Sequence, residues 1–512
     1  MELELKTAGF ETYDTGAETT LTQEETAETI VPDYCPDIAR IITTEGLVCL
    51  HSRELREGRA ELSGTVRVTV LYTPEGEGGV RTLEFAIPFT VESDGRSLGD
   101  CAALTAETSA ELLETRMLNP RKVFTHCKLV TRLTGYRRLT LNVCTDVAAE
   151  ERLRIQKRQA QQHAVLLTHI CEKDFTFTED LKFSPGREGA AELLTSRVTA
   201  TVTEAKVVGS KLVFKGLFTV GLLYRTAEGR CCSTSGELPF SQIMEAEGTG
   251  EGAMASVQLQ LTGSDFQIDG DDPEGRQVAV TIYCHASAML RQERELTLLQ
   301  DLYSTAYDMT YDASPLVLTG FWEPMTRRQT VREVLEIGVV ADSLLSQSVT
   351  CGPVSVSREG ELTVLRTGAA VRVLYLDEGG VPLMAERCVE VRTQLELPED
   401  CRVSAWAVCP EEVQASLGDR GIEVRFPVDF RMEAASRVKR VCVTGAKLDP
   451  ESPKEQTGAP SLVLRCMSRQ ESAWDLAKQY NTTIPAILAA NQLEDEGAIP
   501  RDRLLLIPRK RA

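Results

Sequence analysis

From Val198 the chain reads VTATVTEAKVV, then Gly209-Ser210, then KLVFKGLFTVGLLY. Val198, Ala200 and Val202 alternate with threonine, and Leu212, Phe214, Leu217 and Val220 follow the Gly-Ser break. A period of two puts one face of an extended chain toward a core, and Gly-Ser between two such runs predicts a hairpin. This pattern dominates residues 1–446. Helical periodicity is sparse there, and Ala106–Met117 (AETSAELLETRM) is the best candidate helix between strands. The pattern changes near the C-terminus. Ala473, Leu476, Ala477 and Tyr480 recur at i, i+3, i+4 and i+7, which predicts a helix with an apolar stripe. Asn481 suits the left-handed residue after it, Thr482 or Thr483 suits the cap of a second helix, and Pro485 fits that helix's first turn. Ile484, Ile487 and Leu488 repeat the spacing, and the apolar runs at 461–464 and 504–508 flank the pair. The predicted order is strand, helix, helix, strand.

The long β-patterned part repeats. Three strands end in apolar-Leu-Tyr before an acidic, Gly-bearing turn, with Tyr72, Tyr224 and Tyr375 at intervals of 152 and 151 residues. Upstream, Pro32 precedes Ile41-Ile42, Pro185 precedes Leu193-Leu194, and Pro324 precedes Val334-Leu335. Downstream, Pro88, Pro239 and Pro398 fall at what read as further strand ends. A near-constant interval of this length marks copies of one domain. The expected organisation is therefore mainly β. Three repeated β-rich domains over 1–157, 158–300 and 301–446, each a sandwich or partly open barrel, precede a linker at 447–461 and a small βααβ domain over 462–512. The linker, with three prolines and no apolar period, would separate its ends by roughly 20 Å, which predicts a terminal domain presented clear of the body. Early proteolytic cuts are expected there.

Charge divides the same way. Residues 463–512 hold eight Lys/Arg against six Asp/Glu, a net of +2, which leaves 48 against 70, a net of −22, for the other 462 residues. So acidic a body repels nucleic acid and anionic membrane. The N-terminus lacks the basic and apolar regions of a secretory signal, and no apolar run is long enough to span a bilayer. With 15 scattered cysteines, the reading is a cytoplasmic chain with reduced thiols. Candidate chemistry is thin. His163, His169 and Cys171 match no metal-site spacing, and Cys231-Cys232 lies beside a turn. The run from Asp269 to Glu274 opens like a calcium loop, but Pro273 takes a ligand place and Val280 stands where the bidentate glutamate belongs. No phosphate loop ending in Gly-Lys-Ser/Thr occurs. No catalytic residue, cofactor or metal is expected, and the chain does not read as an enzyme.

The terminal pattern Ser472-Ala-Trp-Asp-Leu-Ala-Lys-Gln-Tyr480, Asn491-Gln-Leu493 and Leu506-Ile-Pro508 resembles a LysM domain. LysM glycan sites are built from two loops carrying glycine, and here those positions are about Gln470-Glu471 and Asp502, which speaks for a protein ligand. The repeats, with the opening Ile30-VPDYCPDIARII and Tyr72, resemble the SPOCS domains of the SipL family of spore-coat morphogenetic proteins. That resemblance implies a scaffold of coat assembly in the mother-cell cytoplasm at the forespore surface. It implies as partner the coat's basement-layer ATPase, stage IV sporulation protein A. A cell-wall protein gripping peptidoglycan N-acetylglucosamine through LysM is the alternative.

One side chain leaves the apolar stripe. Trp474 points roughly 110° from its centre, beside Lys478. It reads either as a residue folded over a neighbouring strand or as an exposed anchor for a protein partner. The expected partner face is Trp474 and Lys478 with Arg469, Gln470, Glu471, Arg501 and Asp502 as a polar rim.

Overall fold

The computed structural model describes every residue except 77–78, 96–97, 251, 411–412, 419–420, 455–460, 469–470, 500–503 and 510–512. Its strands fall into three groups of one topology. The first runs β1 (Glu4–Ile30), β2 (Ile38–Arg56), β3 (Arg59–Pro74), β4 (Arg81–Asp94), β5 (Ala103–Asn119) and β6 (Lys122–Ala148). The long outer strands β1 and β6 pair antiparallel from Glu4↔Ala148 to Ile30↔Lys122, β5 adds to β6, and β2-β3-β4 form a separate meander. The second group repeats this with β7 (Ile155–Lys182), β8 (Glu192–Val208), β9 (Lys211–Arg225), β10 (Cys231–Glu245), β11 (Met254–Ile268) and β12 (Gln277–Ser304).

The third group keeps the plan with two strands broken. β13 (Tyr307–Leu335) pairs with β20 (Gly421–Pro453). β14 (Ala341–Cys351) and β15 (Ser355–Glu359) together line one side of β16 (Leu362–Asp377), with β17 (Pro382–Glu396) on the other. β18 (Cys401–Val408) and β19 (Gln414–Gly418) together line β20.

In each group the meander packs on the long-strand sheet around its own apolar core, a two-layer sandwich and not a closed barrel. The alternation in the sequence explains the burial. On β3, Val66, Val68 and Val70 are fully buried at every second position. Ala106–Met117, expected as a helix, lies inside strand β5, paired with β6 from Thr105↔Thr134 to Met117↔Val123. A bulge between Ala110 and Leu112 breaks its period of two, and that break is what imitated a helical stripe.

The Leu-Tyr repeat has a definite role. Each tyrosine turns into the core of its own repeat, and Tyr72 and Tyr224 donate to backbone carbonyls 36 residues upstream, Pro36 O at 3.2 Å and Glu188 O at 2.8 Å. The leucine before it turns the other way. Leu71, Leu223 and Leu374 meet in one cluster between the three repeats, joined by Leu194 and Leu345, with Ile42 packed against them. The last three residues are the extra residues of β-bulges opposite the Leu-Tyr pair, at Ile41/Thr43, Leu193/Thr195 and Leu344/Ser346. The upstream apolar pair of the third copy is thus Leu344-Leu345, not Val334-Leu335, which ends β13. Pro88 and Pro239 sit within β4 and β10, each paired on one side only, where a missing N–H costs no ladder bond. Ends of the long strands form a second shared core around Leu3, Val143, Leu298, Leu318 and Val443.

The expected linker is corrected at its start. Lys447 to Pro453 continue β20, with Lys447↔Thr310 and Pro453↔Tyr307, and Lys454 is tied to the body; residues 455–460 lie outside the described residues. Proline and charge read as coil in sequence, but an edge partner in β13 holds this segment extended. The chain then enters β21 (Leu462–Cys466), α1 (Ala473–Gln479), α2 (Ile484–Asn491) and β22 (Leu504–Pro508), with β21 and β22 antiparallel.

Candidate partner-binding unit

Local chemistry builds this βααβ unit as its sequence suggests. Ser472 and Asp475 form a capping box on α1: Ser472 Oγ accepts from the Asp475 amide at 3.2 Å, and Asp475 Oδ2 accepts from the Ser472 amide at 2.9 Å. Such a cap contributes about 1 kcal/mol, and the Ser472 hydroxyl and amide hold the Asp475 carboxyl below the usual range. Asn481 takes the left-handed conformation at φ 52°, and Thr483 caps α2 by accepting from the Ala486 amide at 3.3 Å. Asn491 fastens α2 to the sheet. Its amide donates to Ile487 O at 2.8 Å and Leu506 O at 2.7 Å and accepts from the Leu506 amide at 2.8 Å. Leu476, Ala477, Ile487, Leu505 and Ile507 form the core.

The tryptophan that leaves the stripe is the point of attachment to the body. Trp474 and Lys478 share a helical face, and that face is closed by the end of β12 in repeat two and the start of β13 in repeat three. Trp474 is 7 % exposed; its Nε1 donates to Asp301 Oδ2 at 2.8 Å and its ring meets Tyr303 edge-on at 5.0 Å. Lys478 Nζ donates to Asp301 Oδ1 at 2.6 Å and sits 4.9 Å from the centre of the Tyr311 ring. Burial works against the Lys478 ammonium, but the bond to Asp301 outweighs it and lifts its pKa above the ordinary lysine value. Tyr303 donates to Thr482 O at 2.7 Å, and Lys454 Nζ bridges Ser304 O at 2.8 Å and Asn481 Oδ1 at 2.7 Å. A register shift between Leu299 and Asp301 on β12 resets which face its side chains occupy just where Asp301 and Tyr303 begin.

The expectation of an exposed Trp474 anchor on a free unit is therefore corrected. Helical spacing placed the residue on the right face, but the partner on that face is the chain itself. Glu471 pairs with Arg465 and accepts from the Ser468 amide at 3.0 Å, so it shapes the loop before α1. Arg469, Gln470, Arg501 and Asp502 lie outside the described residues. Among the described residues, the outer face of the β21–β22 pair is open and apolar. Leu462, Leu464 and Cys466 of β21 stand opposite Pro508, Leu506 and Leu504 of β22, and Leu462, Leu464 and Leu504 are exposed large hydrophobics. The alternation of Leu-Val-Leu-Arg-Cys with Leu-Leu-Leu-Ile-Pro carried this signal, which the sequence reading passed over.

His163 is on the surface near Glu295, 3.9 Å away, and among the described residues no group of three His, Cys, Asp or Glu is arranged to hold a metal. The Asp269 loop is a pair of Asx turns, with Asp269 Oδ1 accepting from the Asp271 amide at 2.9 Å and Asp272 Oδ1 from the Glu274 amide at 3.1 Å. Cys231 and Cys232 face opposite sides of β10, one toward the shared leucine cluster and one toward the core of repeat two, and both are free. No helix among the described residues is long and apolar enough to cross a membrane.

Three β-sandwich repeats around common apolar clusters, with a small βααβ unit docked at the end of the second, define a multidomain β-repeat protein. Residues 37–107 and 190–269 match the family described as SipL, SPOCS domain, so the chain is SipL-like in its first two repeats, a likeness that suggests a sporulation-related role. The matched segments cover β2 to β4 with the start of β5 as far as Glu107, and β8 to β11. No curated protein matches the chain.

Proposed function

We propose that this chain is a non-enzymatic scaffold of endospore-coat assembly that acts in the mother-cell cytoplasm at the forespore surface. Its terminal LysM-like unit binds the coat's basement-layer ATPase, stage IV sporulation protein A, and so tethers coat to forespore. The observation that carries this reading is the SPOCS match in two repeats, joined in one chain to a unit with the LysM pattern. Docking of Trp474 and Lys478 on Asp301 supports a revised partner face, because the docked side is already occupied. The ATPase meets instead the open face carrying Leu462, Leu464 and Leu504, and the body gives that face a set orientation.

The test is capture of the purified ATPase by the tagged full chain and by the chain with Leu464→Asp and Leu504→Asp together, with insoluble peptidoglycan as a parallel bait. Capture by the parent chain that is lost in the double variant, without retention on peptidoglycan, is the expected result. Retention on peptidoglycan with no capture of the ATPase turns the reading to a cell-wall protein.

A further inference from the structure

The three repeats enclose a cavity of about 1700 Å³. Its walls follow from strand alternation. On β12, Cys284, Ala286, Ala288 and Leu290 fill the core of repeat two, so His285, Ser287, Met289 and Arg291 face the opposite way, into the cavity. Gln258 and Gln260 stand across from Ser287 and His285 on β11. The thirteenth residues of β6, β12 and β20 are Thr134, Met289 and Glu433, and all three line the cavity. These strands thus present faces that are polar yet largely removed from water.

The polar set is lopsided. Among the described residues the lining holds eight arginines and no lysine against seven carboxylates, in a chain of net charge −20. Several pairs join neighbouring repeats: Arg197 with Glu45, Arg402 with Glu18 at 3.0 Å, and Arg291 with Glu433 at 3.4 Å. What is left over is donors. Arg291 Nη1 and Gln260 Nε2 are buried with no acceptor, and half-buried Arg132 has no partner among the described residues. His285 Nδ1 meets Asp174 Oδ1 at 2.7 Å, and its buried Nε2 makes no hydrogen bond. The lining carboxylates without a partner among the described residues, Glu84 and Glu107, are exposed. Guanidinium forks match oxyanions in shape as well as charge. The side chains of Glu18 and Arg402 are 51 % and 52 % exposed, which gives solvent a way in past their pair.

We infer that this cavity is a binding site for a small polyanion carrying several phosphate or carboxylate groups, held by the free N–H groups of Arg132 and Arg291. The full chain is titrated calorimetrically with inorganic pyrophosphate and with citrate, and its melting is followed at matched ionic strength in sodium chloride. Saturable binding of either probe, with a rise in Tm that sodium chloride does not reproduce, is the expected result. Binding of pyrophosphate alone marks a phosphate ligand, and of citrate alone a carboxylate one. Arg132→Gln should weaken binding at least about tenfold while leaving the ligand-free Tm unchanged, since no partner among the described residues is lost. Arg291→Gln combined with Glu433→Gln avoids an orphaned buried carboxylate and should weaken binding likewise. Absence of saturable binding by both probes, or affinity unchanged in both variants, overturns the inference.

Discussion

Asp301→Ala removes the acceptor on which the terminal unit is seated. In the parent, Asp301 takes the Trp474 indole N–H at 2.8 Å and the Lys478 ammonium at 2.6 Å, with its own side chain 18 % exposed. An indole donor left unpaired in a closed interface costs about 1–3 kcal/mol. The Lys478 side chain is 35 % exposed, so solvent screens its loss to about 0.5–1 kcal/mol. The unit should therefore lose about 1.5–4 kcal/mol, which is roughly 10- to 900-fold in its opening equilibrium. Hydrogen exchange at the α1 amides reads this directly, because opening of a docked unit includes the loss of docking; amides of β9, inside repeat two, serve as the internal reference. Trp474→Phe keeps a ring against Tyr303 and removes only the N–H, so a double-mutant cycle with Asp301→Ala isolates the bond. A coupling of about 1–2 kcal/mol is expected. Additive effects, or α1 exchange unchanged in Asp301→Ala, would refute the docking argument.

Leu223→Ala opens a hole where all three repeats meet and should cost about 2–4 kcal/mol in urea unfolding, and a loss below about 1 kcal/mol would show that the cluster does not hold the repeats together. Gly216→Ala places a Cβ 2.2 Å from Thr201 O and 2.5 Å from Phe240 Cζ and should destabilise by about 1–3 kcal/mol, whereas Gly221→Ala meets nothing within 4 Å and should change stability little; equal effects would contradict the packing described. Asp475 has a lowered pKa, so its contribution is present above the ordinary carboxylate value and lost as pH falls through the lower folded one. Lys478 has a raised pKa, so its contribution is present below the ordinary lysine value and lost as pH rises through the higher folded one. Exchange at α1 should thus gain nothing from either group's titration between about pH 4 and 10, and a step in that window would contradict both assignments. Burial pushes the Cys284 thiol up to about 12, while Cys388 and Cys466 are exposed. A thiol reagent at neutral pH should label Cys388 and Cys466 far faster than Cys284, as peptide mapping would show.

The third repeat shows why one copy is harder to read than the others. Gly64 and Gly216 lie eight residues before Tyr72 and Tyr224, each opposite a phenylalanine whose ring covers it, Phe89 and Phe240. The third copy has Thr367 opposite Val391 at that place, and two of its strands are broken. The same differences led the phase of the third copy astray by ten residues, to Val334-Leu335.

Much of the molecule is decided locally and is therefore legible in one dimension. Alternation along β3 and β9, the interval between Tyr72, Tyr224 and Tyr375, the left-handed Asn481 and the Thr483 cap follow from near-neighbour sterics and from which face meets a core. The Leu-Tyr pair announced a repeat, but not that tyrosine and leucine serve different cores, because that depends on two further repeats arriving on the outer side of the strand. Bulges at Ile42, Leu194, Leu345 and Gln300 are invisible to a strict period, since each is defined by a partner strand far along the chain. In an isolated repeat the polar faces of β6, β12 and β20 would meet solvent, and only assembly of the three repeats turns them inward around a cavity. The same holds for Trp474. Its place on the helix is set by a rotation of 100° per residue, while its burial is set by Asp301, 173 residues away, which helical geometry cannot know.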